Sequence, residues 1–390
     1  MMTSSSSNSD LLRSTFALLF LCSLGLTQTI HAQEEREKYP SPEQVQSAID
    51  GGLGWLARTQ VKEGPEAGSW QCSNRRYTPA VTSLAGLAFL ANGYLPDRGE
   101  YGEVIRAALD YVVGQMGPGG YMGQGDPSGM YIHAICAVFG LSCFGELQDP
   151  EAETELAEWC RDVVNLVLEA QQVSRSAVAR GGWRYTPRTD ESDASTTCWQ
   201  LLVLHAARQC GFDLPDEAIE RGLAYINRAY TEGNANMAPG FLYRAGISQE
   251  PDPSVTAVAV AVKSILEGEI DERAAKVLEQ EKLFRPTWGG EQYGGYFYFS
   301  LFYMTQGMFQ RGGDGWVQFR RDMEKILVQH QTGEGDWPFP ADNMRQSRAA
   351  GPAYSTAMSV LVLALDRQYL PMYQRQRPLF NLKPDSLNAE

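Results

Sequence analysis

Six segments of the chain are apolar around most of the helical circumference, which is typical of buried helices. They alternate with amphipathic segments that carry charges on one side, such as residues 42–59, 151–173 and 315–331. The apolar segments are residues 80–92, 130–144, 196–208, 255–267, 293–310 and 354–369. This alternation predicts an all-α protein in which an inner ring of six buried helices is surrounded by an outer ring of six half-exposed ones.

A short phrase recurs along the chain: an apolar helical stretch, a Gln, and then a Gly followed at once or one residue later by an aromatic residue. Gln60 precedes Gly68-Ser69-Trp70 in the first copy. The aromatic positions are Trp70, Tyr121, Trp183, Phe241, Trp288 and Trp337. The copies are looser at Phe241, where Tyr230 replaces the Gln, and at Trp288, which precedes its glycines. A period of about fifty residues is typical of stacked helical hairpins, none of which can bury its apolar face alone. The repeat therefore predicts one domain built from six similar units.

Aspartates stand at the predicted start of three inner helices, at Asp126, Asp193 and Asp252. A carboxylate in this position accepts hydrogen bonds from the first free N–H groups of a helix. Pro127 and Pro253 follow two of them, as expected in a first helical turn. We therefore interpret these aspartates as helix caps.

The Gln…Gly-x-Trp phrase, followed by a helix start such as Asp252-Pro253-Ser254-Val255-Thr256-Ala257, resembles the repeat of squalene–hopene cyclases and protein prenyltransferase β subunits. The C-terminal phrases Tyr354-Ser355-Thr356-Ala357 and Tyr369-Leu370-Pro371-Met372-Tyr373 resemble exported planctomycete repeat proteins of the same superfamily. The resemblance covers residues 45–373. It implies a closed (α/α)6 toroid of the terpenoid cyclase/prenyltransferase type, whose inner helices surround a cavity.

The catalytic motif of class II triterpene cyclases, Asp-x-Asp-Asp-Thr-Ala, is altered here. Aligning the helix around Leu201 places residues 193–198 on it, so that Asp193 is kept while Ser195 and Thr196 replace the two central carboxylates. Protonation of an alkene requires a strongly acidic group shielded from water. The remaining candidates for such an acid are Asp190, Asp193 and Glu291.

The metal and thioester chemistries of related toroids also lack their key residues. The Asp-x-Cys zinc pair of protein prenyltransferases is absent, and the helical pair His133/Cys136 has no evident third ligand. Residues 288–292 copy the end of the thioester motif of complement-type proteins, but Gly289 stands where that motif has Cys. We expect no metal and no cofactor.

Composition restricts the partners and the location. The net charge of −14 and the absence of a Lys/Arg-rich run argue against nucleic acid. Arg13 precedes an apolar run over residues 15–26, which has the length of a signal-peptide core. We expect a cleaved signal over residues 1–32, a linker over 33–44, a tail over 374–390, and a secreted or periplasmic protein with no membrane span. Six cysteines follow residue 32, and they are compatible either with disulfides between different helices or with buried free thiols.

The loops that lead into the inner helices combine aromatic residues with arginine, and they are expected to open on one rim of the toroid. In one interpretation these residues only wedge adjacent hairpins together. In the other they line a pocket mouth for a partly apolar, anionic or sugar-like ligand. The ligand-binding candidates are Arg76, Tyr77, Arg184, Tyr185, Tyr243, Arg244, Tyr293, Tyr296 and Arg345.

The leading hypothesis is an exported toroid that binds a ligand or a partner chain in its cavity or on its Arg/aromatic rim. One alternative is a terpenoid cyclase-like isomerase that acts on a polyprenoid. A second alternative is a polysaccharide lyase or hydrolase, by analogy of fold alone.

Overall fold

The computed structural model describes residues 39–280, 285–290, 296–340 and 349–374, and twelve α-helices in these ranges form an α/α toroid. The outer helices are α1 (Pro42–Thr59), α3 (Gly102–Val113), α5 (Pro150–Gln171), α7 (Asp216–Ala229), α9 (Glu272–Leu278) and α11 (Gly313–His330). The inner helices are α2 (Thr78–Leu90), α4 (Gly129–Cys143), α6 (Ala194–Gln209), α8 (Pro253–Glu267), α10 (Phe297–Arg311) and α12 (Pro352–Leu363). Two short antiparallel strands, β1 (Tyr230–Thr231) and β2 (Gly240–Phe241), lie between α7 and α8. The predicted leader, residues 1–32, and residues 375–390 of the predicted tail lie outside the described residues.

The inner ring is closed. Each inner helix packs against the next one along the chain, and α12 packs against α2. These helices are buried on almost every face, as their uniformly apolar sequences require. The predicted (α/α)6 arrangement is therefore confirmed.

The repeated Gln residues bind the outer helices to one another through backbone carbonyl groups. Gln171 Nε2 donates to the Gly181 carbonyl in its own loop at 2.8 Å and to the Ala218 carbonyl of the next outer helix, α7, at 2.9 Å. Gln60 makes the same pair of bonds to the carbonyl groups of Gly68 and Val104. Each Gln thus satisfies carbonyl groups that a buried loop would otherwise leave unpaired.

The repeated Trp residues anchor the loops. The indole nitrogen of Trp70 donates to the Leu56 carbonyl, that of Trp183 to Val167, and that of Trp337 to Leu327, at 2.7–2.8 Å. All three rings are buried. We call the set of these Gln, Gly and Trp contacts the outer seam.

The last copy of the phrase closes the outer ring. Gln331 Nε2 donates to the Ala48 carbonyl of α1 at 2.8 Å. Gly335 has a φ of 99°, and a Cβ atom there would lie 2.4 Å from the Gly51 carbonyl oxygen of the same helix. Only glycine fits this approach without strain.

The predicted helix boundaries are wrong at the sixth inner helix. It was expected to extend to Tyr369, but α12 ends at Leu363. Leu365–Arg367 form a 3-10 turn, and the positive φ of 53° at Gln368 prevents continuation of an α-helix. Residues 293–295 of the fifth predicted helix lie outside the described residues, and α10 begins at Phe297.

The six cysteines that follow the predicted leader are free thiols, and all except Cys210 are buried. This arrangement matches the second of the two interpretations, in which they act as small apolar residues. Among the helices that the structure describes, none is both long enough and apolar enough to span a membrane.

Candidate functional site

A cavity of about 420 Å³ opens at the end of the toroid where the inner helices begin. This volume lies within the roughly 300–1,000 Å³ of small-molecule sites. All six inner helices, or the residues just before them, contribute to its wall. Side chains at the helix starts form a polar mouth: Tyr77, Asp126, Ser128, Tyr131, Tyr185, Ser195, Tyr243, Asp252, Ser254 and Tyr296.

The floor of the cavity is apolar. Leu84, Ile135 and Met358 each stand seventh in their inner helix, which places them about 9 Å along the axis from its first residue. Trp199 stands sixth in α6 and contributes an indole ring. A ligand in the cavity would therefore bury an apolar body here and keep polar groups near the mouth.

The opposite end of the toroid is filled by its own side chains. The Tyr303 ring lies against the rings of Trp199 and Phe299, with centroids 5.9 and 5.0 Å away. Beyond it, Tyr373 of the C-terminal segment packs on Phe302, and His205 Nε2 lies 2.7 Å from the Gln374 carbonyl oxygen. The cavity is thus backed by packed core on the side away from its mouth.

Four of the predicted ligand-binding residues meet at the cavity: Tyr77, Tyr185, Tyr243 and Tyr296. The Tyr185 and Tyr243 hydroxyl groups are hydrogen-bonded to each other, although the two residues are 58 positions apart. Burial raises the pKa of Tyr243 far above its ordinary value, so its hydroxyl group stays protonated at neutral pH. Tyr296 remains 40% exposed at the mouth.

The predicted arginines Arg184 and Arg244 do not line the cavity. Their guanidinium groups flank Glu191, with Arg184 Nε 2.8 Å from Oε2 and Arg244 Nη2 2.8 Å from Oε1. Arg184 also lies over the Tyr185 ring, 4.5 Å from its centroid. Arg184 therefore packs against the tyrosine pair, and Glu191 balances part of the charge of both arginines.

The other predicted site residues are not brought to the cavity within the part of the chain that the structure describes. Arg76 and Asp190 are exposed and do not line it. Glu291, Tyr293 and Arg345 lie outside the described residues.

Asp193 is a fully buried helix cap. Its Oδ1 accepts hydrogen bonds from the Thr196 N–H at 2.8 Å and from Ser195 Oγ at 2.9 Å, and its Oδ2 accepts one from Thr196 Oγ1 at 3.0 Å. Arg184 Nη1 is 3.5 Å from Oδ2. Burial raises the pKa of Asp193 to about 6, although these hydrogen bonds and Arg184 favour the ionised form. Asp193 does not line the cavity, and Ser195 stands in front of it.

Two carboxylates at the mouth, Asp126 and Asp252, were predicted only as helix caps. The prediction is confirmed for Asp252 and wrong for Asp126, because α4 begins at Gly129 after Ser128 and no side chain caps it. Asp252 Oδ1 accepts a hydrogen bond from the Val255 N–H at 3.0 Å, and Asp126 Oδ1 accepts one from the Ser128 N–H at 2.7 Å, yet both side chains also line the cavity. The signal for this position is the triplet Asp-x-Ser, which stands next to the start of an inner helix at residues 126–128, 193–195 and 252–254. The serine of each of these three triplets lines the cavity, whereas Ser192 of the further triplet at residues 190–192 does not.

Tyr131 is a further cavity residue that sequence reasoning missed. Its hydroxyl group donates to Ser195 Oγ, and burial raises its pKa well above the ordinary value. Within the described ranges no group of three or more His, Cys, Asp or Glu side chains is placed to hold a metal ion. The mouth therefore offers hydroxyl donors and two carboxylate acceptors.

The toroid is similar to solved structures of low sequence identity. The α-1,6-mannanase of Salegentibacter sp. HEL1_6, solved as an inactive double Asp-to-Asn variant with α-1,6-mannotriose, is 10% identical, with a TM-score of 0.57 over 83% of this chain and 99% of its own. A family 76 glycoside hydrolase from a bovine Bacteroides thetaiotaomicron strain is 10% identical, with a TM-score of 0.55 over 83% of this chain and 77% of its own. The type II terpene cyclase MstE from Scytonema is 14% identical, with a TM-score of 0.48 over 85% and 98% of the two chains.

No protein-family model matches the sequence. A search of curated proteins finds no match either. The structural likenesses support the α/α-toroid fold, which many unrelated activities share. They do not extend to the squalene cyclase and prenyltransferase repeat family in particular, and they assign no residue a role.

Proposed function

We propose that this toroid binds a small ligand with an apolar body and a polar end in the cavity at the start of its inner helices. The observation that carries the proposal is the division of the cavity wall into a hydroxyl- and carboxylate-bearing mouth and a hydrocarbon floor. Ligand pockets combine these features, with a few polar groups that orient a ligand and apolar walls that bury it. The protein acts as a binding protein rather than as an enzyme.

The cyclase alternative lacks an acid in the required place. The position that faces the cavity at the start of α6 is Ser195, while Asp193 lies behind it and caps the helix. A serine hydroxyl group is far too weak an acid to protonate an alkene. A polyprenoid therefore fits the floor of the cavity as a bound ligand but meets no protonating group at Ser195.

A glycan is the second candidate, because Asp126 and Asp252 lie among tyrosines at the mouth. Glycosidases use a pair of carboxylates on either side of the scissile bond. The structurally similar mannanase is inactivated by substitution of two adjacent aspartates. No two aspartates are adjacent in this sequence, and the floor formed by Leu84, Ile135 and Met358 offers nothing to sugar hydroxyl groups.

The proposal is tested with the neutral fluorescent probe 1-aminoanthracene and with 1-octanol as its competitor. We expect saturable binding of the probe by the wild-type protein and displacement by octanol. Val81→Trp, which fills the cavity, should reduce the affinity at least about tenfold, because it occupies the volume that the ligand needs. Val317→Trp is the matched control, since Val317 is 48% exposed on the outer helix α11.

Circular dichroism must show that both variants are folded. Absence of saturable binding to the wild type, or undiminished binding to folded Val81→Trp, would contradict the proposal. Saturable binding of α-1,6-mannotriose without binding of octanol would favour the glycan alternative.

A further inference from the structure

The charged side chains at the cavity wall are all acidic. Among the described lining residues only Asp126 and Asp252 carry a formal charge, and no lysine or arginine lines the cavity. The nearby arginines Arg184 and Arg244 are bound to Glu191 at 2.8 Å each. Neither Asp126 nor Asp252 forms an ion pair with any residue that the structure describes. Within the part of the chain that the structure describes, the mouth therefore contains two carboxylates whose charge no neighbouring side chain balances.

The N-terminal ends of the inner helices do not make the mouth attractive to anions. A helix N-terminus carries about half a positive charge and attracts anions through its free N–H groups. At two of the six inner helices an aspartate already accepts a hydrogen bond from those groups: Asp193 from Thr196 in α6 and Asp252 from Val255 in α8. Asp126 accepts one from the N–H of Ser128, the residue that precedes α4. Pro79 and Pro352 remove one such donor from the first turns of α2 and α12.

Aromatic side chains complete the mouth. Tyr77 stands directly before α2, and Tyr296 stands directly before α10. Tyr296, Asp252, Tyr185 and Tyr77 all line the cavity. Carboxylates next to tyrosine ring faces attract an organic cation in two ways, by charge and by the cation–π interaction.

We propose that the cavity selects amphiphilic ligands with a positively charged amine at the mouth, held by Asp126 and Asp252 among the tyrosines, and a hydrocarbon body on the floor. This inference rests on the proposed function and specifies the chemical class of its ligand. It differs from the expectation of an anionic ligand, which depended on Arg76, Arg184, Arg244 and Arg345 facing the site. The first three do not line the cavity, and Arg345 lies outside the described residues.

The inference is tested by calorimetric titration of the full-length protein with octylamine, 1-octanol and octanoate at pH 7. The three probes have the same chain length and differ in the charge of the head group. We expect octylamine to bind at least about fivefold more tightly than octanol for each carboxylate engaged, and octanoate to bind most weakly. Added salt should weaken octylamine binding and leave octanol binding unchanged.

The variant for this test is the double substitution Asp126→Asn and Asp252→Asn. Asparagine keeps an oxygen that accepts the same backbone hydrogen bonds, so the cap of α8 and the turn before α4 are both kept. The variant should lose at least about tenfold in octylamine affinity and keep its octanol affinity. Asp149→Asn is the matched control, because Asp149 caps the outer helix α5 on the exposed surface.

The outcomes separate this inference from the proposed function. Equal affinities for octylamine and octanol, or tighter binding of octanoate, would overturn the cationic selectivity while cavity binding stands. An unchanged octylamine affinity in the folded double variant would overturn it as well. Failure of all three probes to bind would contradict both proposals.

Discussion

The outer seam and the cavity mouth are built from the same repeating units, but they use those units differently. In the seam, Trp70, Trp183 and Trp337 donate from their indole nitrogens to equivalent backbone carbonyl groups, with almost equal distances. At the mouth, the residues that lead into the inner helices differ between units: Tyr77 precedes α2, Asp126 precedes α4 and Tyr296 precedes α10. Positions that repeat serve the backbone of the toroid, and positions that differ between units form the site.

The physical reason is the difference in what the two regions must satisfy. Every loop between the rings presents similar buried carbonyl groups, so one solution, a Gln and a Trp with N–H donors, can be repeated. A ligand has no such symmetry. The wall of the cavity therefore changes from unit to unit, with Asp and Ser at some helix starts and Tyr at others.

The largest loss in the free energy of unfolding is expected when one of the repeated Trp residues of the outer seam is removed. Trp337→Ala should lower the free energy of unfolding by about 3–5 kcal/mol, because it removes a fully buried ring and leaves the Leu327 carbonyl group unpaired. Urea denaturation measures this change. Trp316→Ala, at a half-buried position on α11, should cost clearly less. Equal losses in the two variants would show that the seam is no more important than an ordinary outer-helix contact.

A smaller change in the free energy of unfolding, which depends on pH, is expected from the ionisation of Asp193. Its folded-state pKa of about 6 is above the value of about 3.9 in an unfolded chain, so folding favours the protonated carboxyl group. This contribution to stability is complete below about pH 4 and is lost as the pH rises through about 6. The loss amounts to up to about 3 kcal/mol.

Asp193→Asn removes the titrating group and keeps a cap oxygen. The free energy of unfolding of this variant, relative to that of the wild type, should therefore increase between pH 4 and pH 7. The exposed cap variant Asp149→Asn should show no such trend. A constant difference between Asp193→Asn and the wild type across this range would contradict the buried, raised-pKa state of Asp193.

The sequence predicts the toroid well because its signals are local and repeated. The apolar segments, the capping aspartates and the Gln–Gly–Trp phrase each predict a feature of the observed helices and loops. The site is less predictable, because its members come together from all six units. Arg244 and Glu191 are 53 positions apart, and nothing in either segment indicates that the two side chains pair and leave the cavity. Asp126 and Asp252 carry the sequence signal of a helix cap, and that signal does not indicate that the two residues also line the cavity.

The most direct test of this account introduces the same substitution at the cavity wall and in the packed ring. Val81 lines the cavity, whereas Val260 is fully buried in α8 and would lie 3.2 Å from a Cβ atom placed at Gly307 of α10. Val260→Trp should lower the free energy of unfolding by about 3 kcal/mol or more, since a close-packed interface has no room for the indole ring. Val81→Trp should lower it by clearly less, because Val81 borders the cavity and part of the ring can enter its open volume. An equally large loss in both variants would contradict an open cavity in the toroid.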